Sequence, residues 1–206
     1  PAVRASRIEF DRMRIDVTAG QYLDIVEERA WPVIDKLDAL TRAQRVVVYK
    51  SAKYSIEAPL VIGAALGGAT PEQLESLRAI GLPLGIAFQL RDDLLGVFGD
   101  PAVTGKPAGD DLREGKRTVL IAMTNDRQSE SQREIARKHF GKPDLDTQGV
   151  AALQEIIEST GAREELEATI ERLTDQALTA AQSAVFTNDG NAMLVELANI
   201  ATKRSS

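Results

Sequence analysis

The sequence predicts an all-α protein, and three observations support this prediction. Apolar residues recur at helical spacing along most of the chain, as at Val150, Leu153 and Ile157. No stretch shows the sustained alternation of apolar and polar residues that is typical of a half-buried strand. Aromatic residues, which are enriched in strands, make up only 4% of the chain. We expect a single domain over residues 1–206, because 43% hydrophobic content suffices for one sizeable core.

The first half of the chain begins with two predicted helices. Apolar residues at roughly helical spacing predict the first helix from Ala5 to about Arg29. Thr41 and Gln44 have the spacing of a capping box, in which side chain and backbone satisfy each other's free hydrogen-bonding groups. We therefore expect a second helix to begin at Thr41 and to reach Leu66.

A third helix should contain the most unusual residues of the chain. Thr70 and Gln73 repeat the capping-box signal, and Pro71 occupies the first helical position, where its missing N–H costs nothing. We expect this helix to end at Gly99, just before Pro101. The remaining predicted helices lie at Ser129–His139, Val150–Ile157, Leu166–Ala177 and Met193–Ile200, after a short apolar segment at Thr118–Thr124.

Composition excludes several kinds of protein. The net charge of −6 argues against a broad basic surface, so we expect no nucleic-acid partner. The absence of cysteine excludes disulfides, thiol catalysis and the common zinc sites. The most apolar run, residues 58–69, is shorter than the roughly 18–20 residues of a membrane-spanning helix. We expect no transmembrane segment and a cytoplasmic protein.

Two adjacent aspartates interrupt the apolar helical segment Phe88–Asp100. Because unpaired charges are costly to remove from water, this segment should line a solvated or ion-filled space. Successive helical residues diverge by about 100°, so one of Asp92 and Asp93 should bind an ion and the other should support it. Gln89 lies on the shared edge of this polar stripe. Aspartate suits Mg²⁺, which takes oxygen ligands and bridges to phosphates. The alternative is an exposed acidic pair with a lysine partner.

A glycine-spaced loop of mixed charge, Thr104–Thr118, follows the aspartates. Lys106 and Lys116 each come directly after a glycine, which lets the backbone approach a ligand closely and suits contact with phosphate oxygens. Asp110 and Asp111 could clamp these lysines or assist the metal. The glycine spacing differs from that of a nucleotide-binding P-loop. The alternative is a mobile surface loop.

Smaller polar groups lie upstream of the aspartates. Lys50 and Lys53 flank Ser51 on a helix whose continuation looks buried, so such a lysine should have a partner. Gln21 and Asp24, three residues apart in the first helix, form a second polar pair. Taken singly, each of these residues is more typical of a structural or surface position than of a functional site.

Four segments, taken together and in this order, resemble one family. They are GQYLD from Gly20, YKSA from Tyr49, FQLRDDLLGVFGD from Phe88 and TGKPAGDDLREGKRT from Thr104. They resemble the trans-isoprenyl diphosphate synthases, also called polyprenyl synthetases, which include geranylgeranyl and farnesyl diphosphate synthases. The resemblance extends from the first helix to about Thr124. The helices beyond it are compatible with the family but carry no diagnostic residues.

The resemblance implies an all-α isoprenoid synthase-like helical bundle that condenses an allylic diphosphate with isopentenyl diphosphate, using Mg²⁺, and we also expect a homodimer. By resemblance, Asp92 and Asp93 belong to the second aspartate-rich motif and bind the metal, with Asp92 the principal ligand. The other matched positions are catalytic (Lys50, Ser51 and Gln89, together with Asp92 and Asp93), diphosphate-binding (Lys50, Gln89, Lys106, Lys116 and Asp110) or supporting (Gln21 and Asp24).

This sequence departs from the family pattern in two ways. The third aspartate of the motif falls at Gly96, which has no side chain to bind a metal, so that contact must be weaker or supplied by water. Nothing before Gly20 matches the first aspartate-rich motif or the basic residues that hold isopentenyl diphosphate. We therefore expect this chain to be the C-terminal portion of a synthase. We also expect this portion to be inactive when it is isolated.

Two alternative functions remain open. A synthase-like chain without catalytic activity would contribute a dimer interface and regulate or complete a partner. A terpene cyclase would also ionise a diphosphate, but the lysine-bearing loop and the YKSA segment argue against it. An aspartate-rich helix encoded upstream would favour the synthase, and a native start at Pro1 would favour the non-catalytic chain.

Overall fold

The computed structural model describes residues 1–30, 38–105, 107–182 and 185–202. Within these residues the regular elements are helices and there is no strand, so the all-α prediction is confirmed. The helices are α1 (Ala2–Ala30), α2 (Ala39–Val46), the π-helix π1 (Val47–Glu57), α3 (Ala58–Leu66), α4 (Pro71–Phe98), α5 (Pro101–Thr104), α6 (Asp110–Glu114), α7 (Val119–Arg127), α8 (Glu130–His139), α9 (Thr147–Ser159), α10 (Ala162–Gln182) and α11 (Asn188–Thr202).

The chain packs as two compact units, which we call the first and the second unit. The first unit contains Pro1–Ile25, Arg45–Gln89 and the described residues from Thr169 onward. Its core includes Leu84, with α10 and α11 contributing Ala177, Ala198 and Ala201. The second unit contains Val26–Gln44 and Leu90–Ala168, and its most deeply buried side chains include Leu112, Leu120, Ile157 and Leu166. The expectation of a single domain stays a prediction.

The helix starts follow the capping signals with one exception. Thr70 and Gln73 form the predicted reciprocal hydrogen bonds, at 3.2 Å and 3.0 Å, and α4 begins at Pro71. α2, by contrast, begins at Ala39 and not at Thr41. The carbonyl of Asp38 accepts the first helical hydrogen bond from Arg42, at 2.9 Å. Asp38 has a φ of 66°, a conformation that aspartate tolerates better than most residues, so the chain turns into the helix two residues early.

The predicted helix from Thr41 to Leu66 consists of α2, π1 and α3 in succession. The buried residues of π1 are Val47, Ala52 and Glu57, at intervals of five, which matches the i to i+5 hydrogen bonding of a π-helix. Pro59 at the start of α3 offers one physical reason. A proline has no N–H and its ring clashes with the carbonyl four residues earlier, and the wider turns before Pro59 avoid both problems.

Three glycines make room for the wide backbone of π1 within the first unit. A Cβ atom on Gly20 of α1 would lie 2.5 Å from the carbonyl carbon of Tyr49. Cβ atoms on Gly81 and Gly85 of α4 would lie 2.8 Å from Cα of Glu57 and 2.5 Å from the carbonyl oxygen of Ala52. These contacts bring α1 and α4 against π1 at backbone distance, which fixes the position of the lysines that π1 carries.

The helices predicted in the second half of the chain are present, but α11 begins at Asn188 and not at Met193, and the predicted loop contains the short helix α6. Ser129 and Gln132 form a complete capping box at the start of α8. The short apolar segment after Thr118 is helix α7, which the Thr118 side chain caps. In the described parts of the chain, no helix has both the length and the apolar character needed to cross a membrane.

Candidate functional site

Lys50 forms an ion pair with Asp24 in the first unit, which confirms the prediction that a lysine of this segment has a partner. Gly20 and Asp24 lie one turn apart on α1, so the close approach of Gly20 to the backbone of residues 49 and 50 brings Asp24 to Lys50. The Lys50 side chain is 37% exposed, and that of Asp24 is 36% exposed. The ammonium is therefore both oriented and accessible to an anionic ligand.

Lys53 has a more enclosed setting on the same helix. It donates to Asp16 at 2.9 Å, and its ammonium lies 4.7 Å from the centre of the Tyr49 ring. Its side chain is 25% exposed. Asp16 lies one turn before Gly20 on α1, so a single stripe of α1 supplies the partners of both lysines. These contacts favour a structural role for Lys53.

A buried ion-pair network lies at the end of π1. Arg78 of α4 donates to Glu9 at 2.7 Å and to Glu57 at 3.4 Å. Burial raises the pKa of Glu57, and the nearby charges of Lys53 and Arg78 oppose this rise without cancelling it. The network ties α1, π1 and α4 together within the first unit. It could not be predicted from the sequence, because its three members are far apart in the chain.

The other predicted residues of the first unit occupy different environments. Ser51 lies half-buried on π1, and Gln89 lies half-buried on α4. Gln21 is exposed on α1. The roles assigned to these three residues stay predictions.

The two aspartates of α4 belong to the second unit and differ in exposure. Asp92 is exposed, whereas Asp93 is only 6% exposed. This contrast agrees with the divergence of neighbouring side chains on a helix. Asp92 is the carboxylate that a metal ion in solvent can reach, and the supporting role of Asp93 stays a prediction.

The loop after α4 brings Asp111 and Lys116 together as an ion pair. Gly115, at a φ of 71°, ends α6 and turns the chain back, and the N–H of Lys116 donates to the carbonyl of Asp111 at 3.1 Å. Burial raises the pKa of Asp111, against the lowering effect of Lys116. Burial also acts to lower the pKa of Lys116, but its hydrogen bond to Asp111 and the charge of Asp111 raise it overall.

This pairing sharpens the prediction for the loop. The sequence suggested that Asp110 and Asp111 could clamp the lysines or assist the metal, and the structure pairs Asp111 with Lys116. The signal was Gly115, because a glycine directly after a short helix reverses the chain. Asp110 begins α6 and is half-buried, and its diphosphate-binding role stays a prediction. Lys106 lies outside the described residues.

The oxygen donors of the second unit fit a Mg²⁺ ion that is shared with a ligand. Among the described residues, no group of three or more histidine, cysteine, aspartate or glutamate side chains is placed to hold a metal alone. Mg²⁺ does not need such a group, since it is commonly held by one or two carboxylates, water and substrate phosphates. Asp92 offers one exposed carboxylate, so a metal at this site would depend on a phosphorylated partner.

Comparison with known proteins gives concordant results. The polyprenyl synthetase family model matches residues 6–158. The geranylfarnesyl diphosphate synthase of Aeropyrum pernix is 42% identical over 120 residues, which cover 58% of this chain and 36% of that protein. A short chain isoprenyl diphosphate synthase of Methanothermobacter thermautotrophicus is 34% identical over 150 residues, 73% of this chain and 44% of that protein. This chain thus spans less than half the length of these relatives.

Solved structures show the same fold. The geranylgeranyl pyrophosphate synthase of Corynebacterium glutamicum, in complex with isoprenyl diphosphate and magnesium, superimposes with a TM-score of 0.91 and 41% identity. The match covers 99% of this chain and 56% of that chain. The synthetase of Pyrococcus horikoshii gives a TM-score of 0.83 at 22% identity, which is evidence for the fold alone. Since the family model covers well over half of its residues, this chain belongs to the polyprenyl synthetase family.

Proposed function

We propose that the complete protein is a trans-prenyltransferase that condenses an allylic diphosphate with isopentenyl diphosphate in isoprenoid biosynthesis. The observation that carries this proposal is the set of charged groups that each unit offers by itself, in a chain of this family. Asp92 is an exposed carboxylate, and Lys50 and Lys116 are accessible lysines held by ion pairs. A diphosphate is bound and activated by Mg²⁺ held on a carboxylate and by ammonium groups that are held in place.

The proposed reaction breaks the bond between the allylic carbon and its diphosphate oxygen. The double bond of isopentenyl diphosphate then forms the new carbon–carbon bond, and a proton is lost. When bound, Mg²⁺ supplies Lewis-acid stabilisation of the leaving pyrophosphate. Lys116, in the same unit as Asp92, neutralises the negative charge that develops on its oxygens, so it stabilises the transition state more than the ground state. Lys50 of the first unit is proposed to bind the diphosphate on the basis of the family motif.

The remaining residues have proposed supporting roles. Ser51 and Gln89 present neutral dipoles, which orient the substrate and steady the allylic cation without attacking it. Asp93 supports Asp92, and Asp24 and Gln21 support Lys50. Lys106 and Asp110 are proposed to contact the diphosphate, on the basis of the family motif alone.

The test is a condensation assay on the complete protein. Labelled isopentenyl diphosphate and an allylic diphosphate are incubated with and without Mg²⁺. We expect the label to enter a longer prenyl product only when Mg²⁺ is present. The proposal would be wrong if the folded, complete protein incorporated no label with any short allylic diphosphate.

We also propose a homodimer that works in the cytoplasm. Large apolar side chains of α1 are exposed, including Val3, Ile15 and Tyr22, at 74%, 70% and 67%. Exposed apolar surface of this kind favours burial against another protein surface. Sedimentation of the complete protein tests the dimer, and cell fractionation tests the location. No observation favours the alternative of a non-catalytic chain.

A further inference from the structure

The space beside Gly96 in the second unit is occupied by a carboxylate. A Cβ atom built on Gly96 would lie 2.5 Å from Cγ of Asp111 and closer still to its Oδ2. Real Cβ atoms essentially never approach another atom so closely, so no larger residue fits at position 96 while Asp111 stays in place. Asp111 is itself 7% exposed. The carboxylate of Asp111 therefore occupies the volume that a side chain at position 96 would need.

This arrangement places Asp111 on a particular face of α4. Positions 92 and 96 are four residues apart, so they are neighbours on the helix surface, with Cβ positions about 5–6 Å apart. Asp93 lies about 100° around the helix from Asp92. The carboxylates of Asp92 and Asp111 thus share one face of α4, although they come from different helices.

Asp111 is held in this position by its own segment. Its Oδ1 pairs with the ammonium of Lys116, and its carbonyl accepts the N–H of Lys116. Its Oδ2 is the carboxylate atom nearest to Gly96. A carboxylate this buried and already paired is better suited to orient the surroundings of an ion than to bind the ion directly.

We propose that Asp111 supplies from α6 the carboxylate that Gly96 lacks, and that it positions both the magnesium ion at Asp92 and the Lys116 ammonium. This inference rests on the proposed function, which makes Mg²⁺ and a diphosphate the ligands. Asp111 is a positioning residue: it orients water bound to the ion and directs Lys116, and Asp92 remains the direct ligand. Gly96 is then a requirement of the site, because it leaves the space that Asp111 fills.

The test exchanges the two residues in the complete protein. Binding of Mg²⁺ is measured by calorimetry in the presence of inorganic pyrophosphate, and thermal unfolding is recorded for each variant. The variants are Asp111→Ser, Gly96→Asp, and both changes together. Glu114→Ser is the matched control, because Glu114 lies on the same helix and contacts the same lysine at 3.6 Å, but its side chain is 56% exposed.

We expect Asp111→Ser to weaken Mg²⁺ binding by about 10–100-fold, the usual effect of removing a group that orients a metal site. Glu114→Ser should bind Mg²⁺ nearly as well as wild type. Gly96→Asp alone should lower the unfolding temperature because of overlap with Asp111. The double variant should recover most of the Mg²⁺ affinity, because the carboxylate returns to the same face of α4 from position 96.

Two results would overturn the inference. The first is equal Mg²⁺ affinity in Asp111→Ser and Glu114→Ser, and the second is a double variant that binds no better than Asp111→Ser. If Asp111→Ser unfolds, Asp111→Asn replaces it, since asparagine keeps the shape and removes the charge. Pyrophosphate binding requires no turnover. If the variants show these effects on Mg²⁺ binding but the wild-type protein condenses no substrates, the proposed reaction is wrong and this inference is not contradicted.

Discussion

Lys50 and Lys53 lie on the same π-helix but have different surroundings. Lys50 pairs with Asp24 and remains accessible, whereas Lys53 is enclosed by Asp16 and the Tyr49 ring. We expect Lys50→Met to lower kcat/KM for the allylic diphosphate by about 10²–10³-fold, as for the loss of one preorganised charge-stabilising donor. Lys53→Met should destabilise the fold by about 1–3 kcal/mol, because it leaves Asp16 without its charged partner.

Steady-state kinetics and urea unfolding of the two variants separate these roles. kcat/KM of Lys53→Met should stay near that of wild type once the fraction of folded protein is taken into account. Equal losses of kcat/KM in both variants would contradict the assignment of Lys50 to the diphosphate.

Glu57 gives the first unit a pH-dependent stability. Because burial raises its pKa, the folded protein binds the Glu57 proton more tightly than the unfolded chain does. Its contribution to stability is therefore present below its ordinary pKa and is lost as the pH rises through the raised pKa. We expect the free energy of unfolding of wild type to fall, relative to that of Glu57→Gln, between about pH 4 and about pH 7. Urea unfolding at both pH values checks this, and a constant or opposite difference would refute it.

The contact of a single residue could be predicted from the sequence where one physical requirement determined it. A lysine in an apolar helix needs a partner, and this requirement predicted a contact for Lys50 without giving Asp24 as the partner. From the sequence, Gly96 predicted a metal contact that is weaker or supplied by water, because nothing there shows that the carboxylate of Asp111 fills the space beside it. That contact joins α4 to α6, which are separate in the sequence, so it could only be seen in three dimensions.

The packing of α1 and α4 against π1 depends on glycines, which allows a direct test of this element. A Cβ on Gly85 would meet the backbone of Ala52, whereas a Cβ on Gly63 of α3 would meet no atom within 4 Å. We expect Gly85→Ala to destabilise the protein by about 1–3 kcal/mol through overpacking. The control Gly63→Ala should stabilise it by about 0.5–1 kcal/mol, because alanine is the better helix former.

Thermal or urea unfolding of the two alanine variants measures both effects. A Gly85→Ala protein as stable as Gly63→Ala would show that backbone contact with π1 is not required. Far-ultraviolet circular dichroism serves as a check that both variants keep the wild-type helix content.

Helix positions were largely predictable from capping residues, but the type of helix was not. Thr70 and Ser129 predicted the starts of α4 and α8, because a cap is a local interaction. π1 was predicted as part of one continuous helix from Thr41 to Leu66. Its wider form is accommodated by Pro59 in the following helix and by glycines of α1 and α4, which are distant in the sequence.

For the chain as a whole, the motifs predicted the family and the fold class. Both predictions were confirmed, because the motif residues are few, specific and close together in the sequence. The catalytic activity and the roles of individual residues stay proposals, since this chain spans 36% and 44% of two synthases that it resembles. The expectation that the 206-residue chain is inactive on its own also stays a prediction.

The proposed function depends on the claim that Asp92 binds the Mg²⁺ ion that activates the diphosphate. Asp92→Ala is made in the complete protein, with Asp175→Ala, an exposed aspartate of α10, as the control. Turnover of labelled isopentenyl diphosphate is measured with saturating Mg²⁺. We predict that Asp92→Ala falls below about one hundredth of the wild-type rate with its helical fold intact, while Asp175→Ala does not change. Near-normal turnover by Asp92→Ala would contradict the claim.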